Sequence, residues 1–206
     1  MRYSDIILTE AQAKQITVVY GGRFQPMHSG HYALYQKLTR RFGEDNVFVA
    51  TTVSKEAQTQ QKAGNFSKNP FTFEEKTYIA KKMFGIQNIV QTSPYRPELD
   101  KMGRDPNTNG VVLVFSEKDA GRLKSSPSIH PLPKDLNSME AYYEDGNMKR
   151  AYILEMPIEQ GGMSATDFRN DMSDSGMDDN EKQNTFVKFF GKFDQEIFDF
   201  IKERLS

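Results

Sequence analysis

Two histidines, His28 and His31, frame Ser29 and Gly30 in the stretch Gly21-Gly22-Arg23-Phe24-Gln25-Pro26-Met27-His28-Ser29-Gly30-His31. That spacing aims both imidazoles at one ligand, while Gly30 lets the backbone approach it closely. His-x-x-His alone also fits a surface turn or half of a metal site. The chain has 3 histidines and no cysteine to complete such a site, which favours phosphate over zinc. Far along the chain, Met163-Ser164-Ala165-Thr166-Asp167-Phe168-Arg169 sets a Ser164/Asp167 pair ahead of an arginine. The pair by itself is an ordinary helix start. Arg169 is a cation in the first turns of that helix, where it opposes the dipole, and so points to a bound anion. The chemistry these residues share is the handling of a nucleotide polyphosphate.

Such residues need elements that bring them together. Residues 16–20 are an apolar, β-branched run that breaks at a glycine pair and Pro26, then yields to helical spacing with Leu34, Leu38 and Phe42 on one face. This predicts strand, tight loop and helix, with backbone N–H groups and the positive end of a helix directed at phosphate. Further strands are expected at 46–52, 88–92, 111–115 and 152–155, the one at 111–115 being the most apolar and central. Residues 53–68 are polar, Gln-rich and without periodicity, as in a mobile loop serving as lid or rim. Thr72 and Glu75 form a capping box ahead of a helix with Ile79, Ala80, Met83 and Phe84 inward. Residues 93–110 read as loop, and 120–150 as an insertion in which Tyr142 and Tyr143 occupy a short helix, stacking on a ring or simply packing. At the carboxyl end Phe186, Phe189, Phe190, Phe193, Ile197, Phe200 and Ile201 recur at helical spacing, broken at Gly191, as core or interface. Residues 1–15 show no clear period and stay unassigned.

Strands alternating with helices indicate an α/β protein: a doubly wound, mainly five-stranded parallel sheet in a single domain, 1–206, with a helical segment at about 181–206. In such sheets the ligand sits where the winding reverses, so the loop after Tyr20 should lie beside the loop after Phe115. Lys118 and Asp119 would then join the site, although a solvated loop is the alternative for that pair.

At 206 residues and 37 % hydrophobic, the chain can bury a core. Its 27 Lys and Arg against 28 Asp and Glu give a net charge of -1, so no global basic field points to nucleic acid, and any polyanion bound is small. Without cysteine there is no disulfide framework, thiolate metal site or cysteine nucleophile. No apolar run approaches the ~20 residues of a membrane span, and residues 1–15 lack the apolar core of a signal peptide. The expectation is a soluble, cytoplasmic protein without a membrane partner, compatible with a homo-oligomer.

The segment Gly22 to His31 resembles the His-x-Gly-His signature of the nucleotidyltransferase superfamily. Its Gly-Arg-Phe-Gln-Pro preface is similar to archaeal-type nicotinamide-mononucleotide adenylyltransferases. Met163 to Arg169 resembles the second signature, Ile-Ser-x-Thr-x-x-Arg, with Met163 in place of isoleucine, and Asn69-Pro70-Phe71-Thr72 resembles a segment that opens a helix in those enzymes. The resemblance implies a Rossmann-like nucleotidyltransferase fold and transfer of AMP from ATP to a phosphorylated acceptor, nicotinamide mononucleotide, giving NAD and pyrophosphate. It implies His28, His31 and Arg169 as catalytic residues. Nucleotide binding would fall to Gly22, Arg23, Phe24, Gln25, Gly30, Lys118, Asp119, Ser164 and Thr166. No dedicated protein metal site is expected, Mg²⁺ being bound mainly through the substrate phosphates. A cytidylyltransferase, an adenylyltransferase for another phosphorylated small molecule, and a nucleotide-binding module without catalysis are the alternatives.

Overall fold

The strand predicted at the start of the chain forms as β1 (Gln15–Gly21) and pairs in parallel on both sides, with β2 (Val47–Thr51) and with β4 (Asn109–Phe115). The computed structural model describes residues 15–52, 55–63, 69–116, 120, 121, 123, 126–157 and 163–205. Residues 1–14, Lys118 and Asp119 therefore lie outside the described residues. Among the described residues no helix is long and apolar enough to cross a membrane.

The remaining strands are β3 (Ile89–Gln91), β5 (Ile129–Pro131), β6 (Tyr143–Glu144), β7 (Asn147–Met148) and β8 (Ala151–Glu155). Six of them build one parallel sheet in the order β3-β2-β1-β4-β8-β5. The chain moves outward from β1 to β3, then returns to lay β4 on the other side of β1. The winding therefore reverses between β1 and β4, where Tyr20 stands opposite Val114. This is the α/β, Rossmann-like, doubly wound arrangement expected, with one strand more. The extra strand, β5, runs along the sheet edge within residues 120–150. Its Ile-His-Pro sequence has no apolar run to announce it, and a proline is tolerated at an edge.

Six helices are described: α1 (Ser29–Phe42), α2 (Lys55–Lys62), α3 (Phe73–Phe84), α4 (Ala165–Ser173), α5 (Asp179–Phe190) and α6 (Gln195–Leu205). The Thr72/Glu75 capping box is present, and α3 stops at Gly85 in the left-handed region (φ 72°). Gly191 ends α5 in the same way (φ 81°), which is the break expected between two carboxyl-terminal helices. Two local expectations are corrected. Within 53–68 the chain forms α2, whose Lys, Glu, Ala and Gln content favours helix without an apolar stripe. Tyr143 is in a hairpin rather than a helix, because Asp145 (φ 50°) and Gly146 (φ 76°) make the positive-φ turn that joins β6 to β7.

Alternation along β1 divides the core. Val18 and Tyr20 pack with Leu34 and Leu38 of α1, whereas Val19 points to the other face with Val111, Leu113 and Phe115. A third cluster joins Phe71, Ile79 and Met83 to Phe168 and to Phe186, Phe189, Phe190, Phe198 and Ile201. The carboxyl-terminal aromatic stripe is thus core, packed against α3 and α4, apart from Phe193, which is exposed. Phe186 is fully buried, and Phe186→Ala is expected to cost about 3–5 kcal/mol in denaturant unfolding. Val187→Ala, on the exposed face of the same helix, should stay within about 0.5 kcal/mol.

Candidate active site

The loop from Gly21 to Met27 leaves the carboxyl end of β1 and delivers His28 to the N-cap position of α1. There the His28 Nδ1 accepts hydrogen bonds from the backbone N–H of Gly30 (3.1 Å) and of His31 (3.4 Å), and the His31 Nδ1 accepts from the His28 N–H (3.3 Å). The two histidines thus form a reciprocal capping box. A Cβ on residue 30 would sit 3.0 Å from His28 Cε1, so the glycine leaves room for the ring to fold back over the helix start. With each Nδ1 occupied as an acceptor, the proton of each neutral ring belongs on Nε2. Burial pushes the pKa of His28 down to about 4, and burial followed by the charge of His28 pushes that of His31 down to about 3. At neutral pH both rings are uncharged N–H donors, their centroids 3.7 Å apart.

A cleft of about 200 Å³ opens at the winding reversal, lined by Gly21, Gly22, Arg23 and Phe24, by His31 and Leu34 of α1, by Ser116 after β4 and by Ala165 of α4. The carboxyl end of β1 packs against that of β4 and against the loop after β3, and Ser116, just after β4, lines the same cleft as the loop after β1. A Cβ on Gly21 would lie 2.5 Å from Pro94 Cβ and 2.7 Å from a ring carbon of Phe115. Phe24 holds a positive φ of 42°, uncommon outside glycine, with its ring against Gly22 and edge-on to His31 at 5.1 Å.

From the opposite side α4 contributes Arg169, whose Nη1 donates to the Gln25 carbonyl (2.7 Å) and whose Nη2 donates to Thr166 Oγ1 (3.4 Å). The two sequence motifs therefore meet directly. Ser164 caps α4, its Oγ accepting from the Asp167 N–H at 3.1 Å, and stays exposed with Thr166. The Gln25 side chain is buried and turned away to the main chain of Phe71, donating through Nε2 at 2.9 Å and accepting through Oε1 at 3.0 Å. Gln25 thus braces the loop from within while it also lines the cleft. Gly22 lines the cleft while its N–H donates to the Ala50 carbonyl. Lys118 and Asp119 follow Ser116 in sequence, outside the described residues.

One residue not expected at the site is Lys76, which is 4 % exposed. Its Nζ donates to Thr51 Oγ1 (2.7 Å), the Arg23 carbonyl (3.2 Å) and the Thr52 carbonyl (3.5 Å). Burial first, and the Arg23 charge second, push its pKa down to about 8, and the same two causes lower that of Arg169. Arg23, Lys76 and Arg169 gather with no described carboxylate ion-paired to them, and α1 has no acidic residue in its first turn. The signal for Lys76 was a lysine in register with Ile79, Ala80 and Met83 on the buried face of α3. An excess of cation around N–H donors and a helix N-terminus is an arrangement that binds an anion.

Fold and cleft define a Rossmann-like protein with a cation-rich cleft at the topological switch point. The family described as Cytidylyltransferase-like matches residues 19–120, which is just under half of the chain and includes His28 and His31 but not Arg169. The match is a likeness of that part of the chain to the family. Among curated proteins no match is found. A solved structure of a bifunctional NMN adenylyltransferase/ADP ribose pyrophosphatase from Francisella tularensis, complexed with AMP and Mn ion, is similar at 15 % identity and a TM-score of 0.48. That alignment covers 92 % of this chain and 48 % of the other, so this chain spans about half its length.

The histidine pair makes stability depend on pH. Both folded-state pKa values lie below the unfolded value of 6.5, so the unfolded chain binds more protons as pH falls from 6.5 through about 4 and 3. Unfolding free energy should drop across that window. In His31→Asn, which keeps an acceptor near the Nδ1 position, the profile measured by denaturant titration should be flatter.

Proposed function

We propose that the chain is a nucleotidyltransferase that moves AMP from ATP to a phosphate-bearing acceptor with release of pyrophosphate. The acceptor proposed is nicotinamide mononucleotide, and the product NAD. The observation that carries the reading is the meeting of Arg169 with the loop before His28, beside a cleft holding Arg23 and His31 and with no described acidic partner. An oxygen of the acceptor phosphate attacks the α-phosphorus in line. The new P–O bond forms as the bond between the α-phosphorus and the bridging oxygen breaks, and pyrophosphate takes the electron pair. A phosphate monoester, with a second pKa of about 6, is already largely dianionic at pH 7, so no strong base is required.

The residues then act by position and charge. His31 and His28 supply neutral Nε2–H donors, Arg169 and Arg23 neutralise phosphate charge, and Gly22 and Gly30 leave room for the Phe24 and His28 rings that shape the site. Lys76 holds the main chain of Arg23. Lys118 and Asp119, with Ser164 and Thr166 at the start of α4, complete the nucleotide site in this proposal. Among the described residues no three His, Cys, Asp or Glu side chains gather to hold a metal ion. In this proposal Mg²⁺ would be held mainly through the phosphate oxygens of the nucleotide and would supply neutralisation of their charge.

The choice of ATP over CTP follows from the likeness of Gly22 to Pro26 to the adenylyl-transferring branch. That of nicotinamide mononucleotide follows from the same preface and from Asn69 to Thr72. The Cytidylyltransferase-like match favours a second reading, a CTP-dependent enzyme of the same mechanism. Pyrophosphate release should be fastest with ATP and nicotinamide mononucleotide when ATP is compared with CTP, and when the acceptor is compared with its deamidated acid, phosphopantetheine and flavin mononucleotide. Preference for CTP would select the second reading. His31→Ala and Arg169→Ala should each lower kcat by ~10²–10³ while the protein stays folded. Near-normal turnover in either would remove the mechanism.

A further inference from the structure

We propose that Phe189, on α5, is a positioning residue of this site: it holds the His28 ring and, through Phe168, the helix that carries Arg169 in a single arrangement. The proposal rests on the functional reading above.

Phe189 is 1 % exposed and belongs to a carboxyl-terminal segment that contains neither motif. Its ring meets His28 edge-to-face, with centroids 5.2 Å apart and planes at 68°. The same ring lies nearly parallel to Phe168, at 4.0 Å and 15°. Phe168 is the residue before Arg169 on α4. The Phe189 carbonyl also accepts a hydrogen bond from Ser29 Oγ at 3.0 Å, at the residue following His28. One residue therefore touches the first motif through a side chain and a main-chain atom, and the second motif through a stacked ring.

The consequence is geometric. His28 Nδ1 is tied to the helix N–H groups, His31 covers the ring at 3.7 Å, and Phe189 contacts it as well. With these three contacts the imidazole has one orientation, and its Nε2–H one direction. Aromatic pairs of this kind prefer the edge-to-face and offset-parallel arrangements seen here, which favours one rotamer. Because Phe168 leans on the same ring, a shift of α5 would move His28 and Arg169 together. A purely packing role for Phe189 would lower stability and leave His28 unchanged.

The test compares Phe189→Leu and Ser29→Ala with wild type and with the exposed-face control Val187→Ala, by NMR titration of the ring nitrogens and by steady-state kinetics with ATP. In both test variants the His28 midpoint should rise from about 4 toward 6.5, and kcat should fall about ten- to a hundredfold with little change in KM for ATP. Val187→Ala should match wild type. If Phe189→Leu does not fold, Ser29→Ala decides, since it removes the hydrogen bond that ties the Phe189 main chain to the residue after His28 without opening the aromatic cluster. Folded test variants with wild-type His28 titration and kcat would overturn the proposal. Should wild type transfer no nucleotide at all, the functional reading fails separately. The His28 titration then decides alone: a raised midpoint supports positioning by Phe189, and an unchanged one overturns it.

Discussion

The site depends on a pair of hydrogen bonds between two neighbouring histidines and each other's main chain. The start of a helix leaves N–H groups without partners, and a serine or aspartate usually accepts from them. In this chain imidazole nitrogens do so, His28 toward Gly30 and His31, and His31 back toward His28. The exchange satisfies the helix and commits both Nδ1 atoms, which leaves Nε2–H on each ring. Partial burial keeps the rings neutral. A helix start capped by neutral rings avoids the repulsion that two imidazolium groups would meet at the positive end of the dipole, and still presents hydrogen-bond donors.

Around this pair the fold assembles charge from distant parts of the chain. Arg23 comes from the loop after β1, Lys76 from α3 and Arg169 from α4, and they are tied through main-chain carbonyls of the loop itself. Each contact spends a positive group on holding Arg23 or Gln25 in place. The Gln25 amide adds a reciprocal pair with Phe71, so the loop is braced from both sides of the cleft. Concentrated positive charge without described acidic partners lowers the stability of the free protein, and the pKa values of Lys76 and Arg169 are lowered by burial first and by the neighbouring Arg23 charge second.

Much of this was legible because periodicity and punctuation are local signals. The strand ending at the glycine pair, the helix bearing Leu34 and Leu38, the central position of 111–115 and the stop at Gly191 all follow from spacing and backbone preference. The reversal between β1 and β4 follows from the alternation of elements. What was missed depends on partners far away in sequence or on weak local pattern. Helix α2 has helix-forming residues but no apolar face, and β5 is a three-residue edge strand containing proline. The β6–β7 hairpin had a signal in Asp145-Gly146 that the neighbouring tyrosines obscured. Lys76 and Gln25 show the deeper limit: a buried lysine and a buried amide take their meaning from Thr51, Arg23 and Phe71, which no local pattern names.

The central claim is that the histidine pair stands ready as neutral Nε2–H donors for a phosphate chain. Ring-nitrogen NMR at pH 7, with and without a non-hydrolysable ATP analogue, tests it most directly. The account predicts Nε2–H tautomers for His28 and His31 in the free protein, titration midpoints well below 6.5, and an upward movement of both when the anionic analogue binds. Nδ1–H tautomers, or midpoints near 6.5 that the nucleotide leaves unmoved, would contradict it.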